Sequence, residues 1–269
     1  MLVKILASGS SGNSSFIHTD KINILIDCGI SKKRINDALK KINYTIDDID
    51  YILITHEHID HIKSLTMLLK YTNAKVIMTH GTYKFLINND KYKDIVLENE
   101  YRFSFLSSTG LYYDNVDLGG VIVTPIRAFH DALEPVGYMV NDGMNRLVSL
   151  TDTGYVHKDL MPLISNANIY IWETNHDPEI LMNSERPYEL KMRILSDHGH
   201  LSNTDSLYAL ANLVGADTKY VFYSHISAEC NLREIIGITE KKVFNELGID
   251  RSHIDFIYTM PFDIDEVEI

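Results

Sequence analysis

Thiols are scarce in this chain: its 269 residues hold two cysteines, Cys28 and Cys230, and neither lies in a CxxC pair. A disulfide framework or a thiolate metal site is therefore not expected. No apolar run approaches the ~18 residues needed to span a bilayer, so no membrane association is expected. The opening residues, Met1-Leu2-Val3-Lys4-Ile5-Leu6, lead straight into a Gly/Ser turn. They lack the basic region, apolar core and cleavage site of an export signal, and the expected compartment is cytoplasmic. Positive charge is also in short supply, with 25 Lys and Arg against 37 Asp and Glu and a formal net charge of -12. That balance opposes a polyanionic partner, although divalent cations and a local Lys/Arg patch can dominate a cleft. Part of the acidic excess sits at residues 263–268, which read as a solvated terminus. There is no internal repeat, low-complexity segment or Pro/Gly-rich linker. Residues 1–269 therefore read as one domain, and a hydrophobic fraction of 45% is enough for a substantial core.

What the chain does have is histidine in one place. Residues 51–54 form a short apolar run that reads as a buried strand, and Thr55 ends it. His56, His58, Asp60 and His61 then follow within six positions. Neutral imidazole and carboxylate are the ligands that Zn, Mn and Fe(II) prefer. The His56-x-His58 spacing puts two side chains on one side of an extended turn. Asp60 and His61 fall at the start of the next segment, with residues 62–70 as a helix. One loop thus offers two ligands to one metal and two to its neighbour.

The rest of the chain alternates strands with helices. Strands are expected at residues 2–7, 15–18, 22–26, 75–78, 121–127, 136–140, 146–150, 169–172, 220–223 and 256–258. Pro125 argues for an edge or a bulge in its strand. Asn141-Asp142-Gly143 is a hairpin signal. Residues 91–120 suggest short strands around Phe103 and Leu111. Helices are expected at residues 32–42 with Ser31 as N-cap, 81–87, 188–195, from Ser202 or Asn203 to Val214, and within 234–247. The strands fall in two groups, and nearly every ionisable cluster directly follows a strand, which is how layered scaffolds build a cleft. His130, Asp152 and His225 each follow a strand. They complete a dinuclear set: His56, His58 and His130 on one ion, Asp60, His61 and His225 on the other, and Asp152 between them.

The pattern Thr55-His56-Glu57-His58-Ile59-Asp60-His61 resembles the signature of the metallo-β-lactamase superfamily. Asp27, the His-rich loop, His130, Asp152 and His225 follow the order of its motifs. Within it, the chain is similar to the YycJ/WalJ (VicX) group. The matching stretches include residues 7–14, 25–29 and 224–227, Glu173-Thr174-Asn175-His176-Asp177 and Gly199-His200-Leu201-Ser202-Asn203. Cys230-Asn231 stands where that group usually has an Asn-Asn pair. The resemblance implies an α/β, αββα four-layer sandwich, two divalent metal ions, and exonuclease activity on DNA from a 5′ end.

Two ions ~3.5–4 Å apart lower the pKa of a shared water and stabilise in-line phosphoryl displacement. Asp60 is then both ligand and acceptor for that water, a catalytic role, and Asp27 is expected to hold the His-rich loop by hydrogen bonds. His200 is a candidate proton donor to a phosphate oxygen or leaving oxygen. His176, Ser202 and Asn203 are candidate substrate contacts, the last two at a helix start. Residues 8–14 lack the Lys of a P-loop and read as a structural turn beside the metals. Lys32, Lys33, Arg34, Lys191 and Arg193 are candidate backbone contacts. The enzyme rival is a small-molecule phosphodiesterase or thioester/ester hydrolase on the same scaffold. The rival of another class is a catalytically weak regulatory binding protein, which the intact ligand set opposes. The choice among Zn, Mn and Fe stays open at this level.

Overall fold

Strands whose residues alternate between two buried faces need cover on both sides, and the chain supplies it. The computed structural model describes residues 1–259 and 265–269. Its strands are β1 (Leu2–Ala7), β2 (Ser14–His18), β3 (Asn23–Ile26), β4 (Tyr51–Leu53), β5 (Lys75–Thr79), β6 (Phe103–Leu106), β7 (Ser108–Thr109), β8 (Tyr112–Tyr113), β9 (Val116–Asp117), β10 (Ile122–Arg127), β11 (Val136–Asn141), β12 (Arg146–Leu150), β13 (Ile169–Glu173), β14 (Tyr220–Ser224), β15 (Asp255–Tyr258) and β16 (Asp265–Glu268). Its α-helices are α1 (Lys32–Lys40), α2 (Ile59–Ile62), α3 (Leu65–Tyr71), α4 (His80–Ile87), α5 (Lys93–Glu98), α6 (Met161–Ile164), α7 (Pro178–Asn183), α8 (Tyr188–Ile194), α9 (Asn203–Ala211) and α10 (Arg233–Glu246).

One sheet runs β16-β1-β2-β3-β4-β5-β6 and the other β15-β14-β13-β12-β11-β10-β8-β7, with β9 also on β10. Val3, Ile5, Ile17, Ile24, Leu53 and Ile77 of the first sheet meet Val123, Tyr138, Val140, Ile169, Ile171 and Phe222 of the second in one buried cluster. Their strand neighbours Leu6, Phe16, Leu25, Ile52 and Val76 point outward, onto Ile35 and Leu39 of α1 and Leu65 and Leu68 of α3. On the far side, Val148, Tyr170, Trp172 and Tyr223 pack against Leu207 and Leu210 of α9 and Ile236 and Phe244 of α10. The layers are helix, sheet, sheet, helix, the αββα sandwich that the motif order implies.

Strand direction is what assembles the site. β3 and β4 are parallel, and so are β12, β13 and β14. β10 reaches β12 through two antiparallel steps and so runs the same way. The carboxyl ends of all these strands therefore open on one edge of the sandwich.

Several expectations need correction. The helix expected at residues 62–70 is split into α2 and α3. Ser64 breaks it, because its N–H is taken by the Cys28 carbonyl at 2.9 Å and its hydroxyl by the Ile30 carbonyl. Asp60 and His61 consequently sit in the first turn of a helix. Pro125 lies inside a sheet, in register with Tyr138 of β11. On the opposite side β9 pairs only Ile122 and Val123 and β8 only Ile126, so the position without an N–H faces the gap. Short strands do flank Leu111, as β7 and β8, whereas α5, α6 and α7 are not among the expected helices. Asp177-Pro178, a capping Asp before an N1 Pro, was the overlooked signal for α7. Residues 265–268 of the acidic tail are a paired edge strand, in register from Ile5↔Asp265 to Leu2↔Glu268. Residues 263 and 264 lie outside the described residues.

Candidate metal centre

His56 and His58 follow β4, His130 follows β10, Asp152 follows β12 and His225 follows β14. Asp27, Asp152 and His225 sit just past their strands with φ of 58°, 56° and 56°. Left-handed backbone at three non-glycine residues costs about 1 kcal/mol or more each. It turns each side chain from the strand direction into the space between the sheet ends, and Asp and His tolerate it better than most residues.

The groups converge in two linked sets. Ligand atoms of His56, His58 and His130 lie within 4.8 Å of one another, and so do those of Asp60, His61 and His225. Asp152 joins them: Oδ2 is 3.4 Å from His61 Nε2, and Oδ1 is 3.5 Å from His225 Nε2 and 3.9 Å from His130 Nε2. The imidazoles are oriented by acceptors on their other nitrogens. His61 Nδ1 donates to Asp27 Oδ2 at 2.8 Å, His225 Nδ1 to Glu173 Oε1 at 2.9 Å and His130 Nδ1 to the Gly199 carbonyl at 3.0 Å. Thr55 gives its hydroxyl proton to Asp27 at 2.8 Å, which leaves its oxygen to accept from His56 Nδ1 at 3.0 Å. In all four rings Nε2 then carries the lone pair, which at His61 faces the Asn13 amide at 3.0 Å.

The donor set fits divalent metal ions. His56 Nε2, His225 Nε2 and Asp152 Oδ2 are buried with no hydrogen-bond partner, which is costly unless a cation takes the lone pairs. Burial and then the neighbouring histidines push His56 well below the usual imidazole range. At His225 burial works against the charge, but Asp152 and then Glu173 outweigh it and raise the group to about 9. The same negative field attracts metal ions, and a cation binding at His225 must displace a proton.

Sequence reasoning missed three contributors. Glu173, at the end of β13, is fully buried; Oε1 accepts from His200 Nδ1 at 2.8 Å as well as from His225, and Oε2 accepts the Thr153 N–H at 2.9 Å. A carboxylate ending a parallel strand was the available signal. Asn13 lies in the Gly/Ser turn, with Nδ2 3.2 Å from Asp60 Oδ2 and 3.0 Å from His61 Nε2. Asp131 Oδ1 is 3.4 Å from His130 Nε2, and its other oxygen takes Arg193.

His200 stays at the site, its ring 4.9 Å from that of His130 and 5.0 Å from that of His225. The three expected substrate contacts do not reach the cleft. His176 is 1% exposed. Ser202 caps α9 and bonds Asp205, and Asn203 exchanges amide hydrogen bonds with Asn231 at 2.8 Å. Packing commits them to joining α9 to the loop after β13. Lys191 is likewise spent, on the carbonyls of Met182 and Ser184 at the end of α7, and Lys32 lies over the Tyr71 ring.

Residues 7–225 match the family described as the metallo-beta-lactamase superfamily. The chain belongs to the metallo-beta-lactamase superfamily, and it is a metal-dependent hydrolase. It is 34% identical over 247 residues to Exodeoxyribonuclease YycJ of Bacillus anthracis, across 91% of this chain and 89% of that protein. It is 37% identical over 235 residues to Exodeoxyribonuclease WalJ of Streptococcus pneumoniae, across 87% and 85%. Its fold is similar to that of human tRNase Z, short form, with a TM-score of 0.66, 16% identity and full coverage of both chains. No helix among the described residues is long and apolar enough to cross a membrane.

Glu173 provides a test of how the imidazoles are held. In Glu173→Gln the amide N–H must face either the two ring N–H groups or the Thr153 and Leu201 N–H groups, so one side of the carboxylate's hydrogen bonds is lost and the rings are held less firmly. Metal affinity, read by competition with a chelating dye, is expected to fall about 10- to 100-fold. Unchanged affinity would show that Glu173 does not orient the ligands.

Proposed function

We propose that this chain is a dinuclear metal-dependent phosphodiesterase that shortens DNA as an exonuclease from the 5′ end. The observation that carries the reading is the meeting of His56, His58, His130, Asp60, His61 and His225 as two sets around Asp152. The relatives named as exodeoxyribonucleases support DNA as substrate, and the motif resemblance supports the polarity. Two divalent ions held by these sets would supply a water ionised near neutral pH and would neutralise charge on the phosphoryl oxygens.

The chain's own groups do the rest. Asp60, fixed by Asn13, accepts a hydrogen bond from the attacking water and orients it. His200, with Nδ1 held by Glu173, donates a proton toward a phosphate oxygen or the departing oxygen. Arg193 and Arg186 line a recess shared with His200 and His225. Their partners Asp131 and Glu229 form partly exposed ion pairs, which are weak, so a phosphate can take their place.

The test is digestion of single- and double-stranded DNA and RNA labelled at either end, with Mn or Zn. Mononucleotides released progressively from the 5′ end of DNA, and not by His58→Ala, are expected. Release from the 3′ end would reverse the polarity. Turnover of only a small aryl phosphodiester would replace the nuclease reading with small-molecule hydrolysis.

A further inference from the structure

The two flanks of the metal centre differ in chemistry. The recess beside His225 carries two arginines. Beside His58 and Asp131 the structure opens a cleft of about 500 Å³ instead. That is within the range of small-ligand sites. Its walls are Ile59, Phe85, Tyr92 and Leu133. Ile59 is 54% and Leu133 59% exposed, which is unusual for large apolar side chains flanking a charged site. Asn89 and Lys91 stand at its rim, with the Lys91 ammonium 4.9 Å from the Tyr92 ring centroid. α2 and α4 supply Ile59 and Phe85, and Leu133 is fixed by its N–H on the buried Glu57 carboxylate at 2.6 Å.

We propose that this cleft receives the nucleoside at the end of the strand being cut, while the remaining phosphodiester chain leaves past Arg193 and Arg186. The assignment to a DNA end rests on the exonuclease reading. A nucleobase is the uncharged, planar part of a nucleotide and gains by leaving water for apolar and aromatic walls. The charged backbone would meet Lys91 at the rim but also the Glu57 and Asp131 carboxylates. The arginine-lined recess, in a chain of net charge -12, is where it is attracted. With His58 belonging both to the cleft wall and to the ligand set, a terminal nucleoside in the cleft places the phosphodiester on its 3′ side at the metals.

The experiment is isothermal titration calorimetry of the Mn-loaded full chain with thymidine 3′-monophosphate and with the abasic tetrahydrofuran 3-phosphate, which lacks the base. Wild type is expected to bind the nucleotide at least about fivefold more tightly, the low end of what base stacking supplies. Leu133→Asp, at an exposed position, and Phe85→Ser are expected to close the gap while still binding the abasic 3-phosphate. Thermal unfolding of each variant checks that the fold is intact. Equal affinities in wild type, no binding of either ligand, or a gap that survives both variants would overturn the proposal. If wild type prefers the nucleotide but degrades no labelled DNA, the nuclease reading fails and the cleft stands as a mononucleotide site.

Discussion

Asp152→Ala is expected to lower kcat at least about a thousandfold, equivalent to about 4 kcal/mol of transition-state stabilisation, and to cut bound metal to one ion per chain or fewer. Asp152 is 3% exposed and touches both ligand sets, through Oδ1 on His130 and through Oδ1 and Oδ2 on His225 and His61. No other carboxylate within either triad occupies that position. Without it His61 and His225 lose the group that holds positive charge between them, and the two sets become separate. Alanine also removes the side chain that makes φ of 56° tolerable. Asp152→Asn is therefore the needed companion: it retains shape and left-handed propensity but loses the charge. Metal content by atomic emission separates loss of ions from loss of chemistry. An Asp152→Asn enzyme with two ions and full rate would sink the bridging role.

The second large effect is expected at a residue with no functional group. A Cβ built on Gly29 would lie 1.5 Å from the Asp60 carbonyl oxygen and 2.7 Å from the Asn13 nitrogen. Both are backbone atoms, held by hydrogen bonds of 2.8 Å from Asn13 N–H to Asp60 and from Gly29 N–H to Asn13. Gly29 is thus the strut between the Gly/Ser turn and the His-rich loop. Gly29→Ala must push Asp60 away, with Asn13 following. A loss of about 4 kcal/mol or more in chemical denaturation is expected, at the severe end for point changes, with weakened Mn binding. Gly237→Ala is the control. Its Cβ would meet only the Tyr258 hydroxyl, at 3.1 Å, and within α10 alanine favours the helix by about 1 kcal/mol. A Gly29→Ala protein with wild-type stability and Mn affinity would refute the close-approach argument.

Much of the fold was legible because its signals are local. Ser31 caps α1 and accepts the Arg34 N–H at 3.3 Å as its position suggested, and the Asn141-Asp142-Gly143 turn joins β11 to β12. The missed elements had local cues overridden by distant partners. Residues 62–70 read as one helix because the break at Ser64 is caused by Cys28, thirty-six positions earlier. The Pro125 strand is tolerated inside a sheet only because β8 and β9 leave a gap opposite it.

The chemistry of the site followed the same division. Residue types and strand-end placement by themselves determined the candidate ligands, because metal preference depends on donor atoms and a His-x-His-x-Asp-His loop needs no distant partner to present them. Only the tertiary structure decided who holds the ligands in place. Asn13 beside His61, Glu173 on His225 and Asp131 on Arg193 are separated by 48, 52 and 62 positions. Strands distant in the chain must pair and helices must pack on them before such contacts can form, and the packing of α9 on the loop after β13 equally buried His176, Ser202 and Asn203, which their sequence context had placed in the cleft.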